Sequence, residues 1–268
     1  MLDVRIPVPA GLPADCLAGR GLDRLADVLA GLVRAHVGRR PGFGVLTGIE
    51  LDEQQAREFT VLASRALGEL APQDAAGTLL REVRDRGVRL GEGATGRYSD
   101  SRDGGSLHTD APHAPGPAPD WFTLFCVRQS PEGGGTVLVH LDDLLARLSP
   151  AAVAVLRQPV HFDRREATAG TVRRPILSDD GIAYLREYVE LGHQQPGVPP
   201  LTADQRAALD ELDAALGDPE LQLTDRLAPG ELAVFDNRRV CHGRTAFTDD
   251  PRPGRQRLLL RTWIRRAA

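Results

Sequence analysis

The sequence predicts a mainly β domain with flanking α-helices, a sandwich or barrel against which N-terminal helices pack from outside. Short runs with β character dominate from residue 107 onward, starting at Trp121, Thr136, Glu231 and Arg257, and turn-forming stretches such as PEGGG separate them. Helices and strands do not alternate with the regularity that a doubly wound α/β sheet demands. No internal repeat, low-complexity tract or long linker divides the chain, so residues 1–268 are expected to form one domain.

The N-terminal part supplies the helices. Leu22, Leu25, Leu29, Leu32 and Val33 recur at helical spacing, which predicts an amphipathic helix over 22–37 ending near Gly38. The segment from Phe43 to Ile49 is short, apolar and bounded by glycine, as a buried strand is. Asp52 and Gln55 then form a capping box. The helix that they open carries Phe59, Leu62, Ala63, Ala66, Leu67 and Leu70 on one face, for packing against the sheet. Residues 74–106 are glycine-rich, charged and irregular, a composition suited to loops around a site. Beyond them come the strands WFTLFCV, TVLVHL, ELAVFD and RLLLRTWI, interrupted by helical pieces at 141–148 and 202–217. The second piece opens on another capping box, Thr202 with Gln205.

Composition narrows the function classes. Hydrophobic residues make up 41% of the chain, charged residues 26%, and the net charge is −4, an ordinary folded-protein balance that argues against a dedicated nucleic-acid binder. No basic segment followed by an apolar run opens the chain, and no run of roughly 18 apolar residues occurs, so no membrane partner and a cytoplasmic location are expected. Self-association is left open. Cys16, Cys126 and Cys241 are odd in number and lack CxxC spacing, so they read as small buried residues and not as disulfides or a zinc knuckle.

The chemistry begins at Leu107-His108-Thr109-Asp110. Residues two apart in an extended chain point the same way, so His108 and Asp110 can grip one ion. Imidazole plus carboxylate suits Fe(II), and one distant histidine would complete a facial triad with three open positions. By itself H-x-D is a weak signal. Support comes from Asp236-Asn237-Arg238-Arg239-Val240-Cys241-His242-Gly243-Arg244, which follows an apolar strand and places His242 at a strand's end. In the closing strand, period-two alternation puts Arg257, Leu259, Arg261 and Trp263 on one face, with Leu258, Leu260 and Ile264 on the other. Two guanidinium groups on so apolar a strand are costly to bury without anionic partners, and a carboxylate ligand held by the arginine fork is one such partner.

HTD at 108–110, GGT at 134–136, DNRRVCHGR at 236–244 and the closing R-x-x-x-R at 257–261 together resemble the taurine dioxygenase (TauD/TfdA) family and its clavaminate synthase-like relatives. The phenylalanine-led segment at 43–49 resembles that family's N-terminal strand. The resemblance implies a double-stranded β-helix, or jelly-roll, with N-terminal helices and an inserted segment. It also implies an Fe(II)- and 2-oxoglutarate-dependent dioxygenase, with His108, Asp110 and His242 on iron and Thr136 and Arg257 on the co-substrate. Hydroxylation of a C–H bond would then accompany conversion of 2-oxoglutarate and dioxygen to succinate and CO2. Asp110 argues against a halogenating relative, which has a small residue there. Arg261 would lie near the co-substrate or reach toward the primary substrate.

The loop Arg97 to Gly105 precedes the metal step, so Tyr98, Ser99 and Arg102 are candidate substrate contacts. His113, in a proline-rich loop, is a candidate at the pocket mouth. His140 is expected to point inward as a hydrogen-bonded core histidine. The expected substrate is a small polar molecule, an amino acid or specialised-metabolite precursor, on the strength of the HGR-x-x-F step. A zinc hydrolase or isomerase, and a catalytically silent binding module, are the alternatives on the same barrel.

Overall fold

The computed structural model describes residues 3–88, 98–165 and 170–266. Two sheets face each other. The larger runs Arg5–Pro7, Phe43–Thr47, Leu232–Asp236, Trp121–Arg128, Leu258–Arg265, with Glu69–Ala71 and Leu80–Val83 both paired to the last of these. The smaller runs Leu223–Asp225, Thr136–His140, Val240–Arg244, Gly105–His108. From Gly105 onward the chain crosses repeatedly from one sheet to the other, which is the winding of a jelly-roll. Each sheet is an open strip, and among the described residues the two do not close into a barrel. No helix of the described residues is long and apolar enough to cross a membrane.

Strand alternation divides the interior into layers. On Leu258–Arg265, Leu258, Leu260 and Ile264 meet the N-terminal helices, whereas Leu259 and Trp263 enter the core between the sheets, as the period-two pattern predicts. On the neighbouring strand Leu232 and Val234 take the helix side, and Ala233 and Phe235 the inner side. Leu25, Leu29, Leu32 and Phe59 are fully buried beneath the helices Leu22–Leu32 and Glu53–Leu67. Burial of each such side chain stabilises the fold by about 1.5–3 kcal/mol.

The Glu53–Leu67 helix has the capping box expected of Asp52 and Gln55, but its buried face is rotated from the expected one. Ala56, Phe59, Thr60, Ala63 and Ser64 are buried, and Ala66 is exposed. The hydroxyls make this workable: Thr60 Oγ1 donates to Ala56 O at 2.6 Å, and Ser64 Oγ meets Thr262 Oγ1 of the sheet at 2.7 Å. Satisfied hydroxyls on a helix can face a core, which apolar periodicity alone does not reveal.

The segment after Thr136–His140 forms an outer layer on the smaller sheet. Its helices Leu141–Arg147, Pro150–Leu156, Arg186–Gly192 and Ala203–Leu216, with the hairpin of Pro159–Asp163 and Thr171–Pro175, bury Val139 and Cys241. Cys241 therefore lies on the opposite side of its strand from His242. All three cysteines are buried and free.

Candidate active site

His108 ends the Gly105–His108 strand, Asp110 follows two residues on, and His242 is the cross-strand partner of His108 in Val240–Arg244. His242 is thus mid-strand and not at a strand's end as the sequence suggested. Directly paired residues of antiparallel strands hold their Cβ atoms about 4.5–5.5 Å apart, so the pairing itself brings the two imidazoles together. Their ring centroids are 4.6 Å apart, and His242 Nε2 lies 4.0 Å from Asp110 Oδ2. One nitrogen or oxygen from each of the three side chains falls within 4.8 Å of the others.

Each candidate ligand is oriented from outside the triad. His108 Nδ1 meets the Ser106 carbonyl at 2.7 Å, which leaves Nε2 for an ion. The Asn237 amide brackets Asp110: its Oδ1 accepts the Asp110 N–H at 2.7 Å while its Nδ2 donates to the Asp110 carbonyl at 3.1 Å and to that of Pro119 at 2.9 Å. Between the ligands, the Thr109 N–H donates to Tyr184 O at 2.8 Å and Thr109 Oγ1 accepts from the Tyr184 N–H at 2.9 Å, so the step is tied to the inserted segment. His242 is oriented by packing, with the Phe122 ring 4.3 Å away, and its Nδ1 is buried with no hydrogen-bond partner.

The electrostatics favour metal ligation. Burial pushes His242 down to about 3, and the neighbouring His108 adds to the effect. Burial moves His108 in the same direction. For Asp110 burial works upward, but Arg261 first, then the two imidazoles and the Trp263 N–H, hold the carboxyl below its ordinary value. Neutral imidazoles beside an ionised carboxylate are the protonation states that a divalent ion requires.

A pH dependence follows. In the unfolded chain each histidine takes up a proton near its usual value of about 6.5, whereas in the folded protein both resist it. Below that pH the unfolded state binds more protons, so stability of the metal-free protein is lost as pH falls. For His242 the expected loss is about 1 kcal/mol per pH unit between roughly pH 6 and 4.5, and His108 adds to it in the same direction. Urea denaturation across this range should give a shallower slope for His242→Gln than for the wild type; equal slopes would contradict the assignment.

A cleft lies against the triad, lined by His108 and His242 together with Thr136, Arg244, Arg257 and Arg261. Arg257 is 2% exposed; its backbone N–H donates to Asp249 Oδ1 at 2.7 Å, but its guanidinium has no carboxylate partner among the described residues. Its Nε donates to Gln129 Oε1 at 3.0 Å, and its Nη1 is buried without a hydrogen-bond partner. Burial, reinforced by nearby Arg244, lowers its pKa to about 10. Gly134 makes room for it: the backbone there has φ +71, and a Cβ would lie 3.0 Å from Arg257 Nε. The buried Thr136 also lines the cleft, so the two residues expected to hold a co-substrate border the same space.

The candidate substrate residues divide. Tyr98 and Ser99 line the cleft, and the Tyr98 ring stacks on His108 at 5.6 Å. Arg261 also lines it, while its Nη1 donates to Asp110 Oδ1 at 3.1 Å. Arg102 is exposed and does not line the cleft; its carbonyl accepts the Phe247 N–H at 3.1 Å, so the loop uses its backbone there and sends the side chain outward. His113 is half-buried edge-on against Tyr188, with ring centroids 4.8 Å apart, and is also outside the lining. Arg97 falls outside the described residues. His140 is buried and accepts the Asp142 N–H at 3.2 Å, as a core histidine does. The sequence did not single out Asn237, Trp263 or Arg244 for a role, although all three stand in or beside its quoted motifs. Arg244 Nη2 donates to the carbonyls of Ser101 at 2.8 Å and Asp103 at 2.7 Å, which ties down the loop carrying Tyr98.

Known proteins resemble this chain. The model of the family described as "Taurine catabolism dioxygenase TauD, TfdA family" matches residues 11–263. A uridine-5'-phosphate dioxygenase of Amycolatopsis sp is 33% identical over 138 residues, 48% of this chain and 50% of that protein. The L-asparagine oxygenase of Streptomyces coelicolor is 33% identical over 156 residues, 54% of this chain and 43% of that protein. The chain thus spans about half the length of these curated relatives. Among solved structures, an asparagine oxygenase in complex with Fe(II), 2S,3S-3-hydroxyasparagine and succinate superposes with a TM-score of 0.76 at 21% identity, covering 97% of this chain and 93% of that one. At that identity the likeness is one of fold.

Proposed function

The chain belongs to the TauD, TfdA dioxygenase family, and from that premise we propose that it acts, as a single domain, as an Fe(II)- and 2-oxoglutarate-dependent oxygenase. It hydroxylates an unactivated C–H bond of a small polar substrate, an amino acid or specialised-metabolite precursor, and releases succinate and CO2. The observation that carries this reading is a buried guanidinium with an unpartnered Nη1, placed in the same cleft as a converging His-Asp-His set. A guanidinium of this kind suits a carboxylate ligand, which the keto acid supplies.

His108, Asp110 and His242 would hold the ion, and Arg257 with Thr136 the distal carboxylate of the keto acid. Bound Fe(II) supplies the activation of dioxygen that couples decarboxylation of 2-oxoglutarate to oxidation of the substrate. The chain's own residues supply placement. Arg257 offers a planar fork that fixes a carboxylate in orientation as well as position. Phe122, Leu124 and Leu259 give the cleft apolar walls that exclude water from the reacting centre. Arg261 and the stacked Tyr98 face the space left for substrate. The relatives named for uridine-5'-phosphate and L-asparagine make small molecules bearing an anionic group the first substrates to try.

Anaerobic addition of Fe(II) and 2-oxoglutarate should produce a weak visible charge-transfer band, and zinc should inhibit. On admitting oxygen, a panel of amino acids and nucleoside monophosphates should contain at least one member that stimulates succinate release and gains an oxygen atom by mass spectrometry. Absence of the band at full metal loading would favour the non-oxidative alternatives.

A further inference from the structure

Asp110 belongs to the smaller sheet's end of the site, yet both of its carboxylate oxygens are held by donors from the larger sheet. Arg261 Nη1 donates to Oδ1 at 3.1 Å and Trp263 Nε1 donates to Oδ2 at 2.7 Å. The two donors stand two residues apart on the inner face of Leu258–Arg265, with the Arg261 guanidinium carbon 5.1 Å from the Trp263 ring. Arg261 is itself fixed: its Nε donates to Gln73 Oε1 at 2.8 Å, and Gln73 Nε2 returns a bond to Arg261 O at 2.8 Å. The Trp263 indole is 9% exposed and packs in the core between the sheets with Phe122, Phe235 and Leu259. An indole has one donor and no acceptor, and here that donor is spent on a candidate metal ligand. The other tryptophan shows that such a bond is not automatic: Trp121 packs on the far side of the same sheet, and its buried Nε1 has no hydrogen-bond partner.

An ionised carboxylate can rotate to present one oxygen or both to a cation. With Oδ1 engaged by Arg261, and Oδ2 held by Trp263 while lying 4.0 Å from His242 Nε2, rotation is blocked at both ends. We propose that Trp263 is a positioning residue of the metal centre, whose indole N–H locks the Asp110 carboxylate so that a single oxygen faces the two histidines. The inference rests on His108, Asp110 and His242 being the metal ligands, and it adds a residue that touches neither the ion nor the substrate. Loss of the bond frees the carboxylate to swing and weakens the site without removing any ligand. Outer hydrogen bonds to metal ligands are typically worth roughly 10–100-fold in metal affinity.

The test reads metal binding and not turnover. Wild type, Trp263→Phe and Trp121→Phe are titrated anaerobically with Mn(II) by calorimetry and with Co(II) by absorption. The expected result is a Kd for Mn(II) raised roughly 10–100-fold in Trp263→Phe, with weakened Co(II) ligand-field bands as a second carboxylate oxygen joins the ion. Trp121→Phe should match the wild type in both. Wild-type affinity and an unaltered Co(II) spectrum in folded Trp263→Phe overturn the inference while leaving the metal site intact. Failure of the wild type itself to bind either metal overturns the site assignment beneath it. Should Trp263→Phe not fold, Trp121→Phe carries the test alone, because Trp263 is then its sole tryptophan. Zn(II), which does not quench by itself, should shift the emission maximum as it takes hold of the indole's acceptor, and an unmoved spectrum at saturation overturns the inference.

Discussion

Asp110→Ala is expected to abolish divalent-metal binding and succinate formation together, His108→Ala to do the same, and His113→Ala to leave most of both. The asymmetry follows from position. His108 and Asp110 contribute two of the three groups that converge within 4.8 Å, whereas His113, only three residues further, packs against Tyr188 outside the cleft. Asp110→Ala has a second consequence that the histidine variants lack. It takes the carboxylate from Arg261, which keeps Gln73, and the acceptor from the Trp263 N–H, and removing one partner of a buried ion pair costs about 3–5 kcal/mol. The metal-free variant should therefore unfold at a lower urea concentration than the wild type. Asp110→Asn separates the effects, since it keeps a carbonyl acceptor while losing the charge: it should regain part of the stability and none of the succinate. Calorimetric metal titration, urea midpoints and succinate assays decide the matter. Equal loss in all three alanine variants, His113→Ala included, would mean that the ligands are misassigned.

How much of this was legible in the sequence depended on the range of the interaction. Alternation on the closing strand separated Leu258, Leu260 and Ile264 from Leu259 and Trp263, because facing along a strand is a local property of the backbone; that the first set meets the helices and the second points inward is a matter of the fold. The i, i+2 relation of His108 and Asp110 was local for the same reason. The pairing of His242 opposite His108 is a matter of sheet register; a motif can name both residues but not the cross-strand partner. Asn237 stood in a quoted motif without a role, since a bracket across 127 positions to Asp110 leaves no trace in spacing. That Arg102 stands outside the cleft lining could not be read from the sequence, because a loop that contributes backbone carbonyls resembles one that contributes side chains. Thr60 and Ser64 were left off the buried helix face for a related reason: hydropathy treats a hydroxyl as a surface group, and their hydrogen-bond partners lie one turn back and in the sheet.

Arg257→Gln is expected to raise the KM for 2-oxoglutarate by roughly 100-fold while leaving the ligand-free protein as stable as the wild type, or more so. The first half comes from the lost charge-assisted hydrogen bonds, worth about 1.5–3 kcal/mol each, at about 1.4 kcal/mol per factor of ten. The second half is the less familiar consequence. Arg257 is a buried cation whose guanidinium hydrogen-bonds to neutral oxygens of Gln129 and Gly134, lies over the Phe247 ring, and has an Nη1 with no hydrogen-bond partner among the described residues. Burial and like-charged Arg244 both work against its charge. Such a group destabilises the fold until an anion arrives, so replacing it with a neutral amide removes strain that binding would otherwise relieve. Accordingly, 2-oxoglutarate should raise the Tm of the metal-loaded wild type substantially and that of Arg257→Gln hardly at all. Arg257→Lys should fall between them, because it restores the charge but not the two-pronged geometry. A variant that melts well below the wild type with an unchanged KM would show instead that Arg257 holds the sheet ends together, and the co-substrate would then need another anchor.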